Sequence, residues 1–433
     1  MTPIAAPARG QAQALLDFID ASPSPWHAVA AITAALQAQG FQPLAECDSW
    51  TLQTGGRYYV ARDDSTLAAF VVGMDELSQN GYLLAGAHTD SPGLRLKPQA
   101  AHAADPLLRL GVEVYGGPIL ATFADRDLSL AGRLCLADGS ARRIRFEQPL
   151  LRLPNLAIHM NGKVNDEGLK FNKQTELPLL LGLLDSGLPP QQRFLQLLAE
   201  RLACEPNDIR SWELHVYDTQ PGAIWGADGE FIADSQLDNL ASCHAILAAL
   251  LGSCSRDAAA TRIGLFFDHE EIGSASAKGA AGSFAAGVLE RIALALNVGR
   301  EGYLRALAHS FCVSADMAHA YHPNFPNAYE PNHQVKINQG PVIKINANQR
   351  YATDGVAEAR FAGLCAEAGV PCQRYAHRSD LGCGSTIGPI TASALGVRTV
   401  DVGNPMWAMH SVRESAGVLD HGYMIRVLEH FFG

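Results

Sequence analysis

Two histidines and four carboxylates stand where short apolar segments of the chain end, or in an adjoining polar turn. They are His88, Asp238, Glu270, Glu271, Asp316 and His410. The carboxyl ends of strands are where α/β sheets place functional side chains. Two imidazoles and three carboxylates can hold two divalent ions about 3.5–4 Å apart, and a further carboxylate can take a proton from a water that such ions activate. The pattern predicts a hydrolase.

Each of these residues alone has an ordinary structural interpretation. A histidine that ends a strand usually makes a structural hydrogen bond, but Asp90 follows His88 by two residues, and a metal-bound imidazole commonly donates its other N–H to a carboxylate or carbonyl. Asp238 precedes a helical pattern and is also typical of a helix cap. Glu270 and Glu271 follow a strand too apolar to be exposed, where an unpaired charge is costly. Their joint occurrence favours metal binding.

Composition excludes several other classes of protein. The net charge of −11 and the absence of a Lys/Arg cluster argue against a nucleic-acid surface. The cysteines form no C-x-x-C pair, which indicates reduced thiols and argues against a cysteine-ligated metal. No apolar segment approaches the roughly 18 residues that span a bilayer. The first ten residues lack a secretory signal, so we expect a cytoplasmic protein.

The chain divides into three tracts of different pattern. Residues 1–95 contain a helical pattern followed by strand-like segments, and residues 233–433 alternate apolar strands with helical patterns, which predicts a mixed or parallel α/β sheet. Residues 96–232 show the alternation of antiparallel strands and contain none of the six residues. Because these residues flank the middle tract, the outer tracts must fold together around one site, and the middle tract is an insertion. The elements predicted after residue 232 are helices 239–251, 275–296, 355–368 and 414–431 and strands 262–268, 311–315, 341–346 and 397–402.

These motifs closely resemble those of the M18 metallo-aminopeptidases, the aspartyl aminopeptidases. The matching segments are Ala-His88-Thr-Asp90-Ser-Pro-Gly, Leu-Asp238-Asn239-Leu, Asp268-His-Glu270-Glu271-Ile-Gly-Ser, Ser-Ala-Asp316-Met-Ala-His319 and Met-His410-Ser-Val-Arg-Glu. The resemblance covers almost the whole chain in the same order. It implies an α/β fold, a mixed-sheet metallo-aminopeptidase core, with an inserted, mainly β domain that serves dimerisation and oligomerisation.

The resemblance implies a set of ligands for two metal ions. One ion is held by His88, Asp238 and Asp316. The other is held by Asp238, Glu271 and His410, so that Asp238 bridges the two. Histidine and carboxylate ligands without thiolate suit zinc first, and also manganese or cobalt.

The resemblance also implies roles for five residues that are not ligands. Glu270 is the general base that takes a proton from water and passes it to the leaving amine, and Asp90 is the partner of the histidine ligand. His159, in the inserted tract, reaches into the neighbouring active site of a homo-oligomer, a tetrahedral dodecamer. His319 and Lys344 line the pocket for an acidic side chain. Lys344 lies in an apolar strand, where its ammonium needs a partner.

The expected activity is the release of N-terminal residues, preferentially Asp or Glu, from peptides with a free α-amine. One alternative is a metal-dependent N-acyl amino acid acylase or deacetylase, which activity on N-acyl amino acids would indicate. Another is a catalytically silent metal-binding scaffold, although a structural site needs no unliganded base such as Glu270. Serine hydrolases and zincins are disfavoured because the chain has neither G-x-S-x-G nor H-E-x-x-H.

Overall fold

The computed structural model describes residues 4–184 and 187–433. Within them the chain forms two compact units. The first comprises the chain up to Asp90 together with Gly222–Met409 and Glu414–Gly433, and the second comprises Ser91–Pro221 and His410–Arg413. Both main boundaries lie earlier in the chain than the sequence predicted, and the second unit includes a short segment near the C-terminus that no single insertion accounts for.

The helices are α1 (Ala6–Asp20), α2 (Pro25–Ala38), α3 (Leu77–Asn80), α4 (Val164–Glu167), α5 (Pro190–Leu202), α6 (Leu237–Ser253), α7 (Phe284–Ala295), α8 (Arg300–His309), α9 (Gly355–Glu367), α10 (Ile387–Leu395) and α11 (Val418–Phe432). The strands are β1 (Gln42–Leu44), β2 (Arg57–Arg62), β3 (Thr66–Val71), β4 (Tyr82–His88), β5 (Gly93–Ala104), β6 (Leu107–Tyr115), β7 (Leu128–Leu136), β8 (Ala141–Arg145), β9 (Leu179–Leu183), β10 (Ile209–Asp218), β11 (Ala223–Trp225), β12 (Phe231–Asp234), β13 (Thr261–Phe267), β14 (Phe311–Ala315), β15 (Ala318–His319), β16 (Val342–Ile345), β17 (Gln373–Ala376), β18 (Arg398–Gly403), β19 (Pro405–Trp407) and β20 (Glu414–Gly417). Short 3₁₀ turns cover Leu120–Phe123, Pro206–Asp208, Glu270–Ile272 and Pro326–Ala328. Over the described residues, no helix has both the length and the apolar character needed to cross a bilayer.

The first unit is built on a nine-stranded mixed sheet with the order β1-β2-β3-β13-β4-β14-β18-β16-β17. Its central strands β13, β4, β14 and β18 run parallel. Parallel strands are normally covered by helices on both faces and therefore have long apolar sequences. Here Ala85 of β4 packs with α6 and α11 on one face, whereas Leu84 packs with α7 on the other. The predicted α/β class with a mixed sheet is confirmed.

A smaller sheet in the same unit has the order β11-β12-β20-β19-β15. It joins residues from three distant parts of the chain, and its strand β15 ends at His319. The apolar side chains of α1 pack against it, including Leu16, together with Ile232 and Met406.

The second unit contains a six-stranded sheet with the order β8-β7-β10-β5-β6-β9, in which every neighbouring pair is antiparallel. Helix α5 supplies Phe194 and Leu198 to its core. The ring of Phe194 meets that of Trp212 edge-on, with 5.6 Å between centroids.

Two predicted helices begin later in the structure than expected, and one helix was not predicted. The helix predicted over 275–296 begins only at Phe284, because Ser276 Oγ accepts hydrogen bonds from the main chain of Lys278 and Gly279 and holds a turn there. The final helix begins at Val418, since residues 414–417 pair as β20 between β12 and β19. Helix α8 was not predicted. Its ten residues include three charged ones, and only Tyr303 and Ala306 are buried.

Candidate metal centre

Four elements of the first unit meet at the carboxyl edge of its large sheet. His88 is the last residue of β4. The neighbouring strand β13 leads into the turn Glu270–Ile272, and β14, on the other side of β4, is followed directly by Asp316. Asp238 lies at the start of α6. Because parallel neighbouring strands end at the same edge, the fold brings together predicted ligands that are far apart in the sequence.

The side chains converge on the imidazole of His88. Its Nε2 lies 3.5 Å from Asp238 Oδ1 and 3.6 Å from Asp316 Oδ1. Glu270 Oε2 lies 4.0 Å from the same nitrogen. His88, Asp238 and Asp316 each offer a ligand atom within 4.8 Å of the others, and the same holds for His88 with Glu270 and Glu271.

Asp90 organises the main chain around these ligands. Its Oδ1 accepts a hydrogen bond from the main-chain N–H of Glu270, and its Oδ2 accepts one from Glu271, both at 3.1 Å. His88 Nδ1 lies 3.0 Å from the carbonyl oxygen of Asp90 and 3.4 Å from its carboxylate. With Nδ1–H donating to Asp90, Nε2 carries the lone pair that faces the carboxylates.

The start of α6 is positioned by contacts that the sequence did not reveal. Asp238 and Asn239 have non-helical backbone angles, and Gln236 is left-handed with φ 58°. Glu414 Oε2 accepts a hydrogen bond from the main-chain N–H of Asp238 at 2.9 Å. Asn239 Nδ2 donates to the carbonyl of Ala315 at 2.9 Å, which ties α6 to the end of β14. Asn239 therefore links two elements of the site.

The electrostatics of the cluster fit a divalent cation. Burial raises the pKa of Glu270 to about 8, and burial together with Asp238 raises the pKa of Glu271. Burial alone would lower the pKa of His88, but its contacts with Asp238 and Asp316 outweigh burial and raise it. So many buried carboxylates repel one another unless a cation neutralises them. The imidazole and carboxylate donors suit zinc, manganese or cobalt.

Lys344 has protein partners, contrary to the expectation that its ammonium is otherwise unpaired. Its side chain is only 2% exposed. Nζ lies 3.4 Å from Asp316 Oδ2 and donates to the carbonyl of Met317 at 3.1 Å. It also lies 5.1 Å from the centre of the Tyr351 ring. The role of Lys344 in substrate binding stays a prediction. Because the ammonium already has partners within the protein, that role cannot be argued from an unpaired charge.

His319 belongs to a cluster of rings whose other members no sequence motif marks. Its ring centre lies 5.8 Å from that of Tyr375 and 6.3 Å from that of His377. Tyr375 Oη lies 2.6 Å from His377 Nδ1. Burial, followed by the charge of Lys344, lowers the pKa of His319 to about 4, so this imidazole is neutral near pH 7. Tyr375 and His377 lie on and just after β17, where no sequence motif marks them.

His159 and His410 belong to the second unit. His410 has φ 68°, and its Nδ1 lies 3.0 Å from the carbonyl of Gly117. When the Nδ1–H of His410 donates to the carbonyl of Gly117, the Nε2 atom of His410 carries the lone pair. His159 is exposed in a turn between β8 and α4. A cleft of about 820 Å³ in this unit is lined by residues that include Arg142, Glu200 and Asp208, and by neither histidine. The predicted roles of His159 and His410 stay predictions.

Comparison with known proteins shows which family the chain belongs to. Residues 18–432 match the family model described as aminopeptidase I zinc metalloprotease (M18). The chain is 47% identical over 427 residues to a probable M18 family aminopeptidase 2 of Stutzerimonas stutzeri (strain A1501), with 97% of each sequence covered. It is 48% identical over 427 residues, with the same coverage, to the corresponding protein of Ectopseudomonas mendocina (strain ymp).

Solved structures show the same fold. The cryo-EM structure of the Ape4 and Nbr1 complex contains a chain that superposes with a TM-score of 0.94 at 38% identity, covering 100% of this chain and 87% of that one. A chain of the S. cerevisiae mApe1 dodecamer superposes with a TM-score of 0.85 at 27% identity, covering 98% of this chain and 96% of that one.

An α/β sheet that gathers a buried imidazole and several carboxylates at its carboxyl edge is the architecture of a metallohydrolase. The family match extends over nearly the whole chain. The chain belongs to the M18 family of zinc metallo-aminopeptidases, and it is therefore a metallo-exopeptidase.

Proposed function

We propose that the protein is a dinuclear metal-dependent aminopeptidase that removes N-terminal Asp or Glu from peptides. The main support is the buried convergence of Asp238, Asp316 and Glu270 on His88 Nε2. Three acidic groups gathered around one imidazole below the surface repel one another, and a divalent cation would offset that repulsion. The family supplies the reaction class, and the convergence supports this cluster as the proposed site of the reaction.

His88, Asp238 and Asp316 would hold one divalent ion, and Asp238, Glu271 and His410 would hold the other. Both ions are proposed to be zinc, with manganese and cobalt as alternatives that the same donor types accept. When bound, such ions lower the pKa of water, polarise the scissile carbonyl and provide a place for the substrate's α-amine.

Glu270 is the proposed proton carrier. The hydrogen bond from its main-chain N–H to Asp90 holds the residue in place, and its Oε2 reaches to within 4.0 Å of His88 Nε2. From there, Oε2 can take a proton from the attacking water and pass it to the leaving amine. Glu271, one residue on, is proposed as a ligand.

The preference for acidic residues is proposed to come from Lys344 and His319. Lys344 would be shared between Asp316 and the substrate carboxylate, because an ammonium has three donors and two are used by Asp316 and Met317. A neutral His319 would add a hydrogen bond rather than a charge.

The assembly is proposed to be a homo-oligomer, a dodecamer like that of yeast mApe1. In such an assembly His159 would enter the active site of a neighbouring subunit. Its exposed position on the isolated chain is compatible with this role, because a residue that serves a neighbour cannot be buried in its own subunit.

Hydrolysis of a panel of p-nitroanilides after chelation and metal addition tests the proposal. The panel contains Asp, Glu, Leu and Lys substrates and N-acetyl-Asp as the blocked control. We expect metal-dependent cleavage in the order Asp and Glu above Leu and Lys, with no cleavage of the acetylated substrate. Release of acetate from the acetylated substrate, without release of p-nitroaniline, would indicate an acylase, and no cleavage of any substrate with metal bound would indicate a silent scaffold. Faster cleavage of the Leu substrate than of the Asp and Glu substrates would contradict the acidic preference but leave the metal-dependent aminopeptidase activity in place.

A further inference from the structure

Asp268 follows β13 directly, two residues before Glu270, and the proposed reaction does not use it. Its carboxylate is buried, with only 2% of the residue exposed. Lys278 pairs with it: Nζ lies 3.0 Å from Asp268 Oδ2 and 3.2 Å from Asp63 Oδ2. The same ammonium lies 5.3 Å from the centre of the Trp26 ring, and Lys278 is only 8% exposed. Lysine is rarely buried unless its ammonium is paired, so the contact with Asp268 is a specific one.

The two oxygens of the Asp268 carboxylate have different partners. Oδ2 faces Lys278, whereas Oδ1 accepts a hydrogen bond from the main-chain N–H of His269 at 2.8 Å. His269 has φ 65°, a left-handed conformation that is unfavourable for residues other than glycine. The hydrogen bond to Asp268 stabilises this conformation, which turns the chain from β13 toward Glu270. Lys278 therefore holds the carboxylate on which the turn depends.

Main-chain contacts close the loop that runs from Asp268 to Lys278. Thr66 Oγ1 accepts a hydrogen bond from the main-chain N–H of Asp268 at 3.0 Å and donates one to the carbonyl of Lys278 at 2.7 Å. Within the loop, the main-chain N–H of Ser274 donates to the carbonyl of His269 at 2.8 Å. The two ends are thus joined by one hydroxyl as well as by the ion pair. The two glutamates of the proposed site lie inside this closed loop.

The proposed base is held from two sides. The Asp90 carboxylate accepts the main-chain N–H groups of Glu270 and Glu271, and the ion pair between Lys278 and Asp268 fixes the turn that precedes them. We propose that Lys278 is a positioning residue that acts through Asp268 to set the orientation of Glu270 toward the reacting water. This role rests on the proposed function of Glu270 as the base. A displacement of about 1 Å at a reacting group can cost roughly 100-fold in rate.

Three variants separate positioning from a purely structural ion pair. Lys278→Met leaves the buried Asp268 carboxylate without its ammonium, which is destabilising. The double variant Lys278→Met with Asp268→Asn removes both charges, so we expect its stability to return close to that of the wild type. Methionine donates no hydrogen bond, so the side chain at position 268 stays unfixed in both variants. Asp63→Asn is the matched control, because it removes the more exposed partner of Lys278 and keeps the contact with Asp268.

Hydrogen–deuterium exchange of the metal-free, full-length protein measures the loop without any reaction. In both Lys278 variants, we expect the main-chain amides of residues 269–274 to exchange about tenfold faster or more, the effect of losing one charge-assisted hydrogen bond. In Asp63→Asn they should exchange as in the wild type. Amides of α9 are the internal reference for any general loss of stability. Wild-type exchange of residues 269–274 in the double variant would overturn the proposal.

Steady-state kinetics of the zinc-loaded proteins complete the test. In both Lys278 variants, we expect kcat to fall by about one to two orders of magnitude. The factor should be the same for Asp, Glu and Leu substrates, with KM and bound zinc unchanged, because a base serves every substrate. A structural ion pair would instead leave kcat of the double variant at the wild-type value, and that result would contradict the positioning role.

Glu270→Gln, measured in parallel, separates this inference from the proposed function. Low turnover in Glu270→Gln together with low turnover in the double variant supports both. Full turnover in Glu270→Gln, with faster exchange of residues 269–274 in the Lys278 variants, would show that Glu270 is not the base although Lys278 still positions the loop. Low turnover in Glu270→Gln with full turnover in the double variant would keep the base and reject the role of Lys278.

Discussion

Asp90 links one proposed ligand to the neighbouring glutamates through the main chain. The N–H groups of Glu270 and Glu271 both donate to its carboxylate, while His88 Nδ1 contacts its carbonyl. Such hydrogen bonds to a charged acceptor contribute roughly 1.5–3 kcal/mol each. The main chain of the two glutamates is therefore held in one place, which allows adjacent side chains to take different roles.

Replacing Glu270 with Gln separates these two roles. The amide cannot accept a proton, so we expect turnover to fall by about two to four orders of magnitude, the range of general base catalysis, while both metal ions stay bound. Glu271→Gln should instead lose metal, and Glu301→Gln, on the exposed face of α8, should change neither quantity. Turnover on the Asp substrate and metal content by mass spectrometry measure the effects. Metal loss in Glu270→Gln would show that the roles are reversed.

Lys344→Met tests the acidic preference. Loss of a charge-assisted hydrogen bond to the substrate costs about 1.5–3 kcal/mol, or roughly one to two decades in kcat/KM for Asp and Glu substrates. The loss for Leu substrates should be much smaller. Because Lys344 also pairs with Asp316, metal content must be measured in parallel, and Lys336→Met at an exposed position is the control. Equal losses for Asp and Leu substrates at full metal content would assign Lys344 to the metal site alone.

At the scale of elements, the sequence predicts which residues stand at the carboxyl edge of the large sheet better than it predicts the contacts that hold them there. His88 and Asp316 could be recognised because each ends a run of apolar residues, and such runs form buried parallel strands. Nothing local predicts that Glu414, far along the chain, accepts the N–H of Asp238. The ring cluster around Tyr375 is equally hidden, since it depends on strand order. Tertiary contacts decide these positions.

Helices α6 and α11 carry a buried pair of histidines that makes stability depend on pH. His244 Nδ1 lies 2.8 Å from His421 Nε2. Burial lowers the pKa of His244 to about 4, and burial together with His244 lowers that of His421. The unfolded chain, with histidine pKa values near 6.5, therefore binds protons first as the pH falls. The stability from this pair is complete above about pH 6.5 and is lost as the pH falls toward 4.

Replacing both His244 and His421 with Gln should remove this dependence. Between pH 6.5 and 4, we expect the free energy of unfolding of the wild type to fall more steeply than that of the variant. The difference is at most about 1.4 kcal/mol per pH unit for each proton involved. Urea unfolding with a chelator present measures both proteins without a contribution from metal release. Equal slopes would show that the pair is not neutral in the folded protein.

At the scale of the whole molecule, the second unit carries two histidines that the proposed activity needs. His159 is the one whose proposed role depends on assembly. We expect His159→Ala to form the same oligomer as the wild type and to lose one or more orders of magnitude in turnover on the Asp substrate. Size-exclusion chromatography with light scattering and steady-state kinetics measure both properties. An assembled His159→Ala variant with full activity would contradict the proposed role of His159. The matched control is His102→Ala, a substitution in the same unit.

The central claim is that the predicted ligands hold two metal ions on which activity depends. Protein freed of metal by chelation is titrated with zinc while the hydrolysis of Asp-p-nitroanilide and the bound zinc per chain are followed together. We expect no activity without metal, full activity when two ions are bound per chain, and binding limited to one ion in His410→Ala. Full activity at one ion per chain, or activity in the metal-free protein, would contradict it.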